Sequence, residues 1–454
     1  MSLGLYLKGV FDPDFAGRPA AGRVFDRATL EEFEIWLSNV AFDELEWTQW
    51  TEDDEGNPCL MMQLHPGAEP LMLSNCDDGA LMLAAATSSA GPGYHIFVCD
   101  LIRKMAQVHG LLWITDDEIE FYDETGYFET GDKQKLYAEF GTWIGALTTR
   151  VQELSKDGAK FHLAMPFDGH QFDVPEPILT QLGPRDVAWL EEVAADPVLG
   201  QDIFPWWEDG HGAEYHLGRA LCYMWNAVRW RDPLTEHEAE LFEAVLRHLD
   251  SAYNLDPDLN YPWGEWLEIL DFMGGICENA ELVRTLGPAE QADESRPPIG
   301  YRRHDVRKNL GGGWSIAIPG DFVEELEEGQ TFLAFDETRN VRVTCMSASD
   351  TSGNSLNAEQ ILKKIKVYDN PLTYEQGKVL GRAFFEEVAE PETNFWMLRG
   401  VTAASGTFTQ VTVCFEADEQ RQWAIDTWRS LDHRSSHWPK EDSAGEEEVR
   451  SADD

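Results

Sequence analysis

The sequence predicts an α+β protein in which an N-terminal mixed-sheet domain, a central helical region and a C-terminal antiparallel-sheet α+β domain follow one another. Three observations lead to this prediction. At 454 residues the chain is too long for one hydrophobic core. Short apolar runs separated by Asp, Gly, Asn and Pro dominate both ends of the chain and are typical of strands. Long runs with the apolar spacing of helices dominate residues 175–290.

The first predicted domain covers residues 1–174 and is α+β, because its strand-like runs cluster with few helices between them. These runs are LGLYLKG, LEWTQW, CLMMQLH, EPLMLS and ALMLAAA. Thr29 and Glu32 match a capping box and predict the start of the first helix. Two further helices are predicted from their apolar spacing, and glycines predict that they end at Gly110 and Gly158.

The second predicted domain covers residues 175–290 and is helical. Its amphipathic runs are RDVAWLEEVAAD, AEYHLGRALCYMWNAVRW and EHEAELFEAVLRHLDSAYNL, and a further helix has Pro262 in its first turn. The next run, LGPAEQADESRPPIG, contains Gly, Pro and charge without periodicity. It predicts a linker, which we place at residues 291–299.

The third predicted domain covers residues 300–434 and is a second α+β domain with an antiparallel sheet. Its strand-like runs are GWSIAIPGDF, QTFLAFD, VRVTCMSAS, GRAFFEEVA, NFWMLRGVTAA and TFTQVTVCFEA. Helical spacing occurs in NAEQILKKIKVY and DEQRQWAIDTWRSLD. Residues 435–454 are acidic and poor in apolar side chains, and this composition predicts a disordered tail.

The element order of the third domain resembles the Mog1/PsbP-like fold, the family that includes the DcrB-type chaperones of type VI secretion effectors. The resemblance rests on the opening strand with Pro in WSIAIPGDF, on the paired strands, helix and long meander, and on the closing helix QRQWAIDTWRSL. It covers less than a third of the chain. Members of that family mostly bind other proteins or hydrophobic segments, so the resemblance implies a binding domain without a catalytic residue to carry over.

A second resemblance is to the rear helix of a tetratricopeptide repeat, in AVLRHLDSAYNLDPDLNYPW. Ala252, Leu255 and Pro257 fall near the small, apolar and turn positions of that motif. Glu236 and Pro233 depart from it and no second copy follows, so the sequence predicts a lone helical hairpin. In general character the whole chain is similar to large acidic bacterial proteins, some of which serve as immunity proteins in toxin systems.

The composition is strongly acidic, with 83 Asp and Glu against 35 Lys and Arg and a net charge of −48. This charge argues against nucleic acid or anionic lipid as a direct partner, because phosphate binding needs Lys and Arg. It permits a basic protein partner, such as a toxin, whose encounter would be steered electrostatically. Solubility or adaptation to high salt explains the same charge without a partner, so both interpretations stay open.

Apolar runs and cysteines bear on the compartment. No uncharged apolar run reaches the roughly 18 residues of a membrane span, and the start of the chain lacks a signal-peptide pattern. The seven cysteines are scattered in apolar surroundings and never spaced as CxxC, which favours buried reduced thiols. We therefore expect no membrane segment and a cytoplasmic location.

Motifs for catalysis are absent from the sequence: it has no GxSxG elbow, no phosphate-binding loop and no HExxH. We therefore predict no catalytic residue and no cofactor. His211 and His216, close to Glu208, Asp209 and Glu214, are candidate metal ligands. Their separation of five residues would spread two side chains on a helix by about 140 degrees. Ordinary polar residues at a helix start are the alternative.

Two features are candidate partner-binding surfaces. Asp116, Asp117 and Glu118 cluster at the turn of a predicted hairpin, in a pattern that is also routine in acidic proteins. The other feature is a group of aromatic and arginine residues in the helical region, since Trp and Arg anchor many protein interfaces. Core packing between helices is its alternative interpretation. The group consists of Trp225, Arg229, Trp230, Trp263 and Trp266, with Arg219 and Arg231 interleaved.

The leading functional hypothesis is a non-enzymatic protein-binding protein, such as an immunity or chaperone-like accessory protein of a bacterial toxin or secretion system. It depends on the missing catalytic motifs, the acidic charge and the resemblance of the third domain. The alternatives are an enzyme, hydrolytic or metal-dependent, whose site no motif reveals, and a scaffold of undefined role. A deep pocket with convergent polar groups would favour an enzyme, and a broad concave acidic face would favour a partner.

Overall fold

The structure, a computed structural model, describes residues 3–15, 23–53, 56–76, 79–114, 122–154, 160–165, 169–293, 295–327, 330–365, 371–389 and 394–434. The chain divides into two compact units. Unit 1 comprises residues 1–168 and 174–303, and unit 2 comprises residues 169–173 and 304–454. Helices accompany several antiparallel sheets, so the α+β class predicted from the sequence is confirmed.

The elements of the described residues are numbered here in chain order. The helices are α1 (Arg27–Val40), α2 (Pro92–His109), α3 (Tyr127–Thr130), α4 (Lys133–Leu154), α5 (Val187–Ala195), α6 (Ala213–Asn226), α7 (Glu236–Leu255), α8 (Trp263–Phe272), α9 (Ala280–Gln291), α10 (Ala358–Lys364) and α11 (Arg421–Arg429). The strands are β1 (Gly4–Phe11), β2 (Trp47–Glu52), β3 (Pro58–Gln63), β4 (Leu71–Asn75), β5 (Leu81–Ala86), β6 (Leu111–Ile114), β7 (Phe161–His162), β8 (His170–Phe172), β9 (Ile178–Thr180), β10 (Gly183–Arg185), β11 (Val306–Asn309), β12 (Trp314–Ile318), β13 (Val323–Glu327), β14 (Thr331–Phe335), β15 (Arg339–Ser347), β16 (Leu372–Gln376), β17 (Val379–Ala389), β18 (Asn394–Ala404), β19 (Thr407–Phe415) and β20 (Asp432–His433).

Unit 1 is built around a sheet of six strands in the order β2-β3-β4-β5-β1-β6. Every neighbouring pair in it is antiparallel, so the prediction of a mixed N-terminal sheet is wrong for this sheet. The apolar alternation of these strands points Leu5 and Leu7 of β1 and Leu81 and Leu83 of β5 into the core, where all four are fully buried. Residues of α1, α2 and α4 complete this core. A small sheet in the order β10-β9-β7 also belongs to unit 1.

The ends of the first two helices show which local signals decide a boundary. Helix α1 begins at Arg27 after the N-cap Asp26, whose side chain accepts a hydrogen bond from the backbone N–H of Thr29. The capping box assigned to Thr29 and Glu32 is therefore wrong, because the carboxylate three residues earlier takes that N–H. Helix α2 ends as predicted at Gly110, which has φ of 67°.

Helices α6 to α9 form a second core in unit 1. Helix α9 extends to Gln291 and so includes much of the run that was interpreted as lacking helical structure. Gly287 explains why: a Cβ at this position would lie 2.7 Å from Leu267 Cβ, so the glycine lets α9 approach α8 closely. This packing stabilises α9 although Pro288 lies inside it and lacks a backbone donor.

Unit 2 contains an antiparallel sheet of seven strands in the order β13-β14-β15-β19-β18-β17-β16. A second antiparallel sheet has the order β20-β12-β11-β8. The strand-like runs and the two helical runs of the third predicted domain are confirmed as β12, β14, β15, β17, β18, β19, α10 and α11. Helix α10 begins with a capping box between Asn357 and Gln360.

Three predictions fall on residues outside the described ranges. These are the hairpin turn with Asp116, Asp117 and Glu118, the helix end at Gly158, and the tail 435–454. Within the described ranges, no helix combines the length and the hydropathy that a membrane span requires. All seven cysteines are free thiols, and Cys59, Cys99 and Cys222 are buried.

Candidate functional site

Buried polar side chains from four separate segments meet inside unit 1. His65 follows β3, Tyr94 lies in the first turn of α2, Arg219 lies on α6, and His248 lies on α7. Their exposed fractions are 0%, 0%, 2% and 5%. The ring centroids of His65 and Tyr94 are 6.1 Å apart. The ring of Tyr215 lies between the two histidines in the chain of contacts, with its centroid 6.4 Å from the His65 ring and 6.2 Å from the His248 ring. We refer to His65, Tyr94, Arg219 and His248 as the polar cluster.

Arg219 carries the permanent positive charge of the polar cluster. Its guanidinium donates to the Tyr215 hydroxyl at 2.8 Å and to the Glu44 carbonyl at 3.0 Å, and it forms an ion pair with Glu46. The Tyr223 hydroxyl donates to the same Glu46 carboxylate at 2.5 Å. Burial alone would lower the pKa of Arg219, but Tyr223 and Glu46 raise it above its usual value. Arg219 therefore stays protonated, and Glu46 compensates its charge.

The two predicted metal candidates lie at the edge of the polar cluster, on either side of Tyr215. His216 Nδ1 lies 2.9 Å from His248 Nδ1, and His211 Nε2 lies 3.0 Å from Glu44 Oε1. The rings of His216 and His211 pack against the Tyr215 ring with centroids 5.0 Å and 4.6 Å away. Each histidine thus has a different polar partner. Among the described residues, neither belongs to a set of three side chains placed to hold one metal ion.

Burial favours the neutral forms of His65, His216 and His248. Burial and then the charge of Arg219 lower the pKa of His248 to about 2 and hold the pKa of His65 well below its usual value. Burial also lowers the pKa of His216 and raises the pKa of Tyr94. The positive charge of Arg219 thus acts on His65 and His248, and the Glu44 carboxylate lies beside His211 at the edge of the region.

Each member of the polar cluster has one polar atom without a hydrogen-bond partner in the described part of the chain. These atoms are His65 Nε2, Tyr94 Oη, Arg219 Nε and His248 Nε2. Buried polar groups are nearly always hydrogen-bonded, because an unpaired one costs about 1–3 kcal/mol. Other buried atoms of unit 1, such as Asn226 Oδ1 and Trp266 Nε1, also have no such partner in the described residues.

A second buried network in unit 1 surrounds His95 of α2. His95 Nε2 lies 3.1 Å from Thr125 Oγ1 and 3.3 Å from Asp123 Oδ1, and its Nδ1 lies 2.9 Å from Thr87 Oγ1. Asp123 also accepts the backbone N–H groups of Thr125 at 2.8 Å and Phe128 at 2.6 Å. Burial alone would raise the pKa of Asp123, but the hydrogen bond and charge of His95 and these N–H groups lower it to about 2.

His95, Cys99 and Asp123 form the group of the described residues that could hold a metal ion, with ligand atoms within 4.8 Å of one another. Both ring nitrogens of His95 already have hydroxyl partners. Burial raises the pKa of the Cys99 thiol well above its usual value, which disfavours the thiolate that metals bind. The geometry therefore fits a structural network that connects α2 to the segment before α3.

The seven-stranded sheet of unit 2 has two different faces, because side chains alternate along β17, β18 and β19. One face packs against Trp428 of α11. A Cβ at Gly400 would lie 2.8 Å from Trp428 Nε1, so this face needs glycine to admit the indole. The same nitrogen donates to Thr402 Oγ1 at 3.1 Å, and both side chains are buried. This face belongs to the core of unit 2.

The opposite face is covered by α10 at one end, where the helix packs on Leu380, Ala403 and Phe408. The strand register places two further rows of side chains beside that contact. We refer to these two rows as the open face, which consists of Arg382, Phe384, Arg399, Val401, Gln410 and Thr412.

Two cavities lie on this side of the sheet. One has a volume of about 230 Å³ and is lined by the open face together with Leu362 and Ile365 of the α10 segment. The other has a volume of about 540 Å³ and is lined in part by Arg342, Met397 and Cys414. Arg342 is paired across the sheet with Thr412 of the open face, and side chains of paired residues share a side. The two cavities are therefore features of one surface.

The arginines of this surface differ in their charge partners. Arg399 pairs with Glu386 at 3.3 Å, and Arg342 pairs with Glu327 at 3.2 Å. Arg382 is half-buried, and among the described residues no carboxylate pairs with it. Arg382 is thus a half-buried cation without a carboxylate partner in the described part of a chain of net charge −48.

The predicted aromatic group is divided between the core and half-buried positions of unit 1. Trp266 is fully buried and stacks on Trp263 with ring centroids 5.3 Å apart. Trp225 is half-buried and lies 5.0 Å from the ring of Tyr301. Helix α6 ends at Asn226. The expectation that Trp225 and Trp230 share one helix is therefore wrong.

The arginines near that group have partners within unit 1. Arg229 and Arg231 both pair with Glu238, at 3.2 Å and 2.9 Å. The Trp230 ring lies 3.7 Å below the guanidinium of Arg303. Arg219, interpreted from the sequence as part of a partly exposed surface, is instead buried in the polar cluster. The role of this aromatic group in partner binding stays a prediction.

Sequence analysis missed His65, Tyr94 and His248. Each lies among apolar residues, in LMMQLHPG, GPGYHIFV and AVLRHLDS, and so looks like an isolated polar residue of a core element. The one local signal is that a histidine or tyrosine interrupts an apolar segment in each case. Only the tertiary structure shows that these segments face one another.

Comparison with known proteins gives no family for this chain. No protein-family model and no curated protein matches it. Among solved structures, a crystal structure of a protein from Bacteroides thetaiotaomicron VPI-5482 is similar to part of the chain, with 17% identity and a TM-score of 0.23. The similarity covers 28% of this chain and 46% of that one. The chain thus spans less than half the length of that protein, and the TM-score is too low to carry an argument.

Proposed function

We propose that this chain is a non-enzymatic protein-binding protein whose unit 2 receives a segment of a partner protein on the open face. The observation that carries the proposal is Arg382, half-buried beside a cavity of about 230 Å³ and without a carboxylate partner among the described residues. The partner segment has an acidic side chain that pairs with Arg382 and a neighbouring apolar side chain that enters the cavity.

The residue types on this surface suit protein recognition. Arginine, aromatic residues and methionine are enriched in protein interfaces, and Arg382, Phe384, Arg399 and Met397 supply them here. The guanidinium of arginine binds a carboxylate through two parallel hydrogen bonds, which fixes the orientation of the bound side chain. In the proposed complex, Arg382 therefore contributes to affinity and also fixes the position of the bound segment on the sheet. Val401 and Ile365 provide apolar contact.

The net charge of the whole chain adds a long-range electrostatic attraction to this local recognition. A basic partner protein would be attracted to a chain of net charge −48 before it contacts any specific surface. A basic toxin or secretion-system protein that carries one acidic and apolar segment fits both features. With such a partner, the proposed role of this chain is that of an immunity or chaperone-like accessory protein.

The element order of unit 2 supports including the Mog1/PsbP-like assignment in the proposal. Strand β12 carries the run with Pro, strands β16, β17, β18 and β19 form an antiparallel meander, and α11 follows β19. The run with Pro, the meander and the closing helix are features on which the resemblance depends. A domain of that kind implies binding of a protein or a hydrophobic segment, in agreement with the open face.

Selection from a phage-displayed peptide library against the full chain tests the proposal. We expect selected peptides to share an Asp or Glu next to an apolar residue, and to bind Arg382→Glu at least tenfold more weakly than the wild type. A host protein captured by the wild-type chain should likewise be lost with Arg382→Glu. Fluorescence polarisation with the synthetic peptides measures the affinities.

Lys378→Glu is the matched control for this experiment. Lys378 is an exposed cation in the turn between β16 and β17, so its reversal makes the same change in net charge without altering the open face. Peptides should bind this variant as they bind the wild type. Selected peptides that bind Arg382→Glu and the wild type equally would place the binding surface elsewhere and refute the proposal. Circular dichroism confirms that both variants are folded.

A further inference from the structure

The four-stranded sheet of unit 2 has one polar face. Its register pairs Gln171 of β8 with Arg307 of β11. It also pairs Ser315 of β12 with Asn309 of β11 and with Asp432 of β20. Paired residues point to the same side of a sheet, and so do residues two positions apart on one strand. These five side chains therefore share one face.

This polar face lines a cavity with a volume of about 1040 Å³. Arg429, the last residue of α11, and Arg434, directly after β20, contribute further side chains to the lining. We refer to this cavity, with Arg307, Arg429 and Arg434 in its lining, as the arginine cavity. Its volume is near the upper end of the roughly 300–1,000 Å³ of small-molecule sites, so it has room for more than a single ion.

The charge of this lining is opposite to that of the chain. The lining contains three arginines and one carboxylate, Asp432, whereas the chain has 83 acidic residues against 35 basic ones. Among the described residues, no carboxylate forms an ion pair with Arg307, Arg429 or Arg434. This local excess of positive charge matches a ligand with more than one negative charge.

Two of these arginines are held in position. Arg307 is half-buried, and its Nη1 donates to the Ser430 carbonyl at 2.9 Å and to Ser315 Oγ at 3.2 Å. Both acceptors are neutral, so they orient the guanidinium without cancelling its charge. Arg434 lies against Gly313, where a Cβ would be 2.8 Å from Arg434 Nε. The absence of a side chain at Gly313 gives the guanidinium this room, and cations that are already oriented lose less entropy when they bind.

We propose that the arginine cavity binds a small molecule that carries at least two phosphate or carboxylate groups. Guanidinium groups bind both kinds of oxyanion through parallel hydrogen bonds. The side-chain amides of Gln171 and Asn309 supply neutral donors and acceptors for the rest of the ligand. A long polyanion such as nucleic acid fits less well. It would extend beyond the cavity and meet the negative charge of the chain, which is screened only over about 8 Å at physiological salt.

Titration calorimetry of the full chain with sodium pyrophosphate and with sodium citrate tests the proposal, at equal ionic strength and without divalent cations. We expect saturable binding of at least one of these anions and none of chloride. A more than tenfold preference for pyrophosphate identifies a phosphate ligand, and the opposite preference identifies a carboxylate ligand. Arg429→Gln and Arg434→Gln should each weaken binding of the preferred anion about tenfold, because each removes one charge-assisted contact. Both arginines are exposed, so we expect the variants to fold.

Lys363→Gln is the matched control, because Lys363 is an exposed cation of α10 that does not line the cavity. It makes the same change in net charge and should bind the anion like the wild type. Hydrogen exchange of the wild type locates the site without any substitution, and the bound anion should slow exchange in peptides from residues 305–315 and 426–434.

Anions that bind no better than chloride would refute the arginine cavity as a site. Equal binding by the wild type, Arg429→Gln and Arg434→Gln would do the same, as would protection from exchange that is confined to other peptides. Arg382→Glu should bind the anion like the wild type, since Arg382 does not line this cavity. Failure of this proposal is therefore distinct from failure of the proposed protein binding.

Discussion

The Nδ1 atoms of His216 and His248 face each other at 2.9 Å, one ring coming from α6 and the other from α7. Two imidazole nitrogens at this distance share a single proton, because one must donate and the other must accept. Protonation of both rings would place two N–H groups against each other. The pair can therefore connect α6 to α7 only while at least one ring is neutral.

We expect the stability of unit 1 to fall as the pH drops below about 6.5. Burial lowers the pKa of His248 to about 2 and holds that of His65 well below its usual value, whereas both titrate near pH 6.5 when unfolded. The unfolded state thus binds more protons than the folded state. Each histidine therefore lowers the free energy of unfolding by about 1.4 kcal/mol for each pH unit below its unfolded pKa. Hydrogen exchange of peptides from α6 and α7, corrected for intrinsic rates, measures the loss between pH 7.5 and pH 5.5.

Two substitutions on α7 separate this effect from general acid sensitivity. His248→Gln should reduce the slope of stability with pH, because one buried titrating group is removed. His237→Gln should keep the wild-type slope, since His237 is exposed on the same helix. Protection of α6 and α7 that stays constant down to pH 5.5 would show that these histidines are not neutral and buried.

Arg219→Met is expected to destabilise unit 1 by about 3–5 kcal/mol, because it leaves the Glu46 carboxylate without its cation. The double variant Arg219→Met/Glu46→Gln should recover part of this loss, since it removes both charges. Urea denaturation of the wild type, the two single variants and the double variant gives the coupling energy between Arg219 and Glu46. Arg247→Met, at an exposed position of α7, is the control and should cost little. Additive effects of the two substitutions would contradict a direct ion pair.

Asp123→Asn should destabilise unit 1 by about 2 kcal/mol at neutral pH, and this difference should vanish in acid. The pKa of Asp123 is about 2 in the folded chain, against 3.8 for an unperturbed aspartate. A carboxyl with a lowered folded pKa stabilises above its unfolded pKa, and the contribution is lost as the pH falls from about 4 to about 2. Chemical denaturation of wild type and variant between pH 7 and pH 3 measures the narrowing gap. Asp100→Asn is the control, because Asp100 is an exposed carboxylate of α2 that pairs with Arg103, and it should lower the free energy of unfolding at neutral pH clearly less.

Local patterns in the sequence predicted six strands of unit 2 and helices α10 and α11, but missed β8, β11, β13, β16 and β20. Strands β17, β18 and β19 combine β-branched and aromatic residues with clear alternation, and α11 has helical spacing, so nearby residues determine each element. Helix α9 was partly missed because its continuation past Pro288 depends on the close approach that Gly287 allows to α8. That contact is tertiary, and no local pattern reports it.

The candidate sites depend on contacts between segments that are far apart in the sequence. Arg219 looked like a surface residue because its compensating carboxylate, Glu46, lies in the segment before β2. His65 and His248 meet only because β3 and α7 contribute to neighbouring parts of unit 1. The strand run that contains Arg382 was predicted, but its lack of a carboxylate partner becomes visible only once the register of β17, β18 and β19 is known.

Thr402→Val is expected to destabilise unit 2 by about 1–3 kcal/mol while leaving the open face intact. Thr402 Oγ1 accepts the indole N–H of Trp428 at 3.1 Å inside the core, and valine keeps the shape of threonine but removes the acceptor. The buried N–H would then be unpaired, which is the costly outcome for a hydrogen-bond deletion. Guanidinium denaturation followed by tryptophan fluorescence measures the change.

Thr409→Val is the matched control for that substitution. Thr409 is also buried and is paired across the sheet with Thr402, but its hydroxyl makes only a 3.5 Å contact with the Thr402 carbonyl. Thr409→Val should therefore lower the free energy of unfolding of unit 2 clearly less than Thr402→Val does. Because Thr402 lies on the core face of β18, a folded Thr402→Val chain should bind the peptides selected for the open face with wild-type affinity. Loss of that binding in a folded variant would show that the two faces of the sheet are not independent.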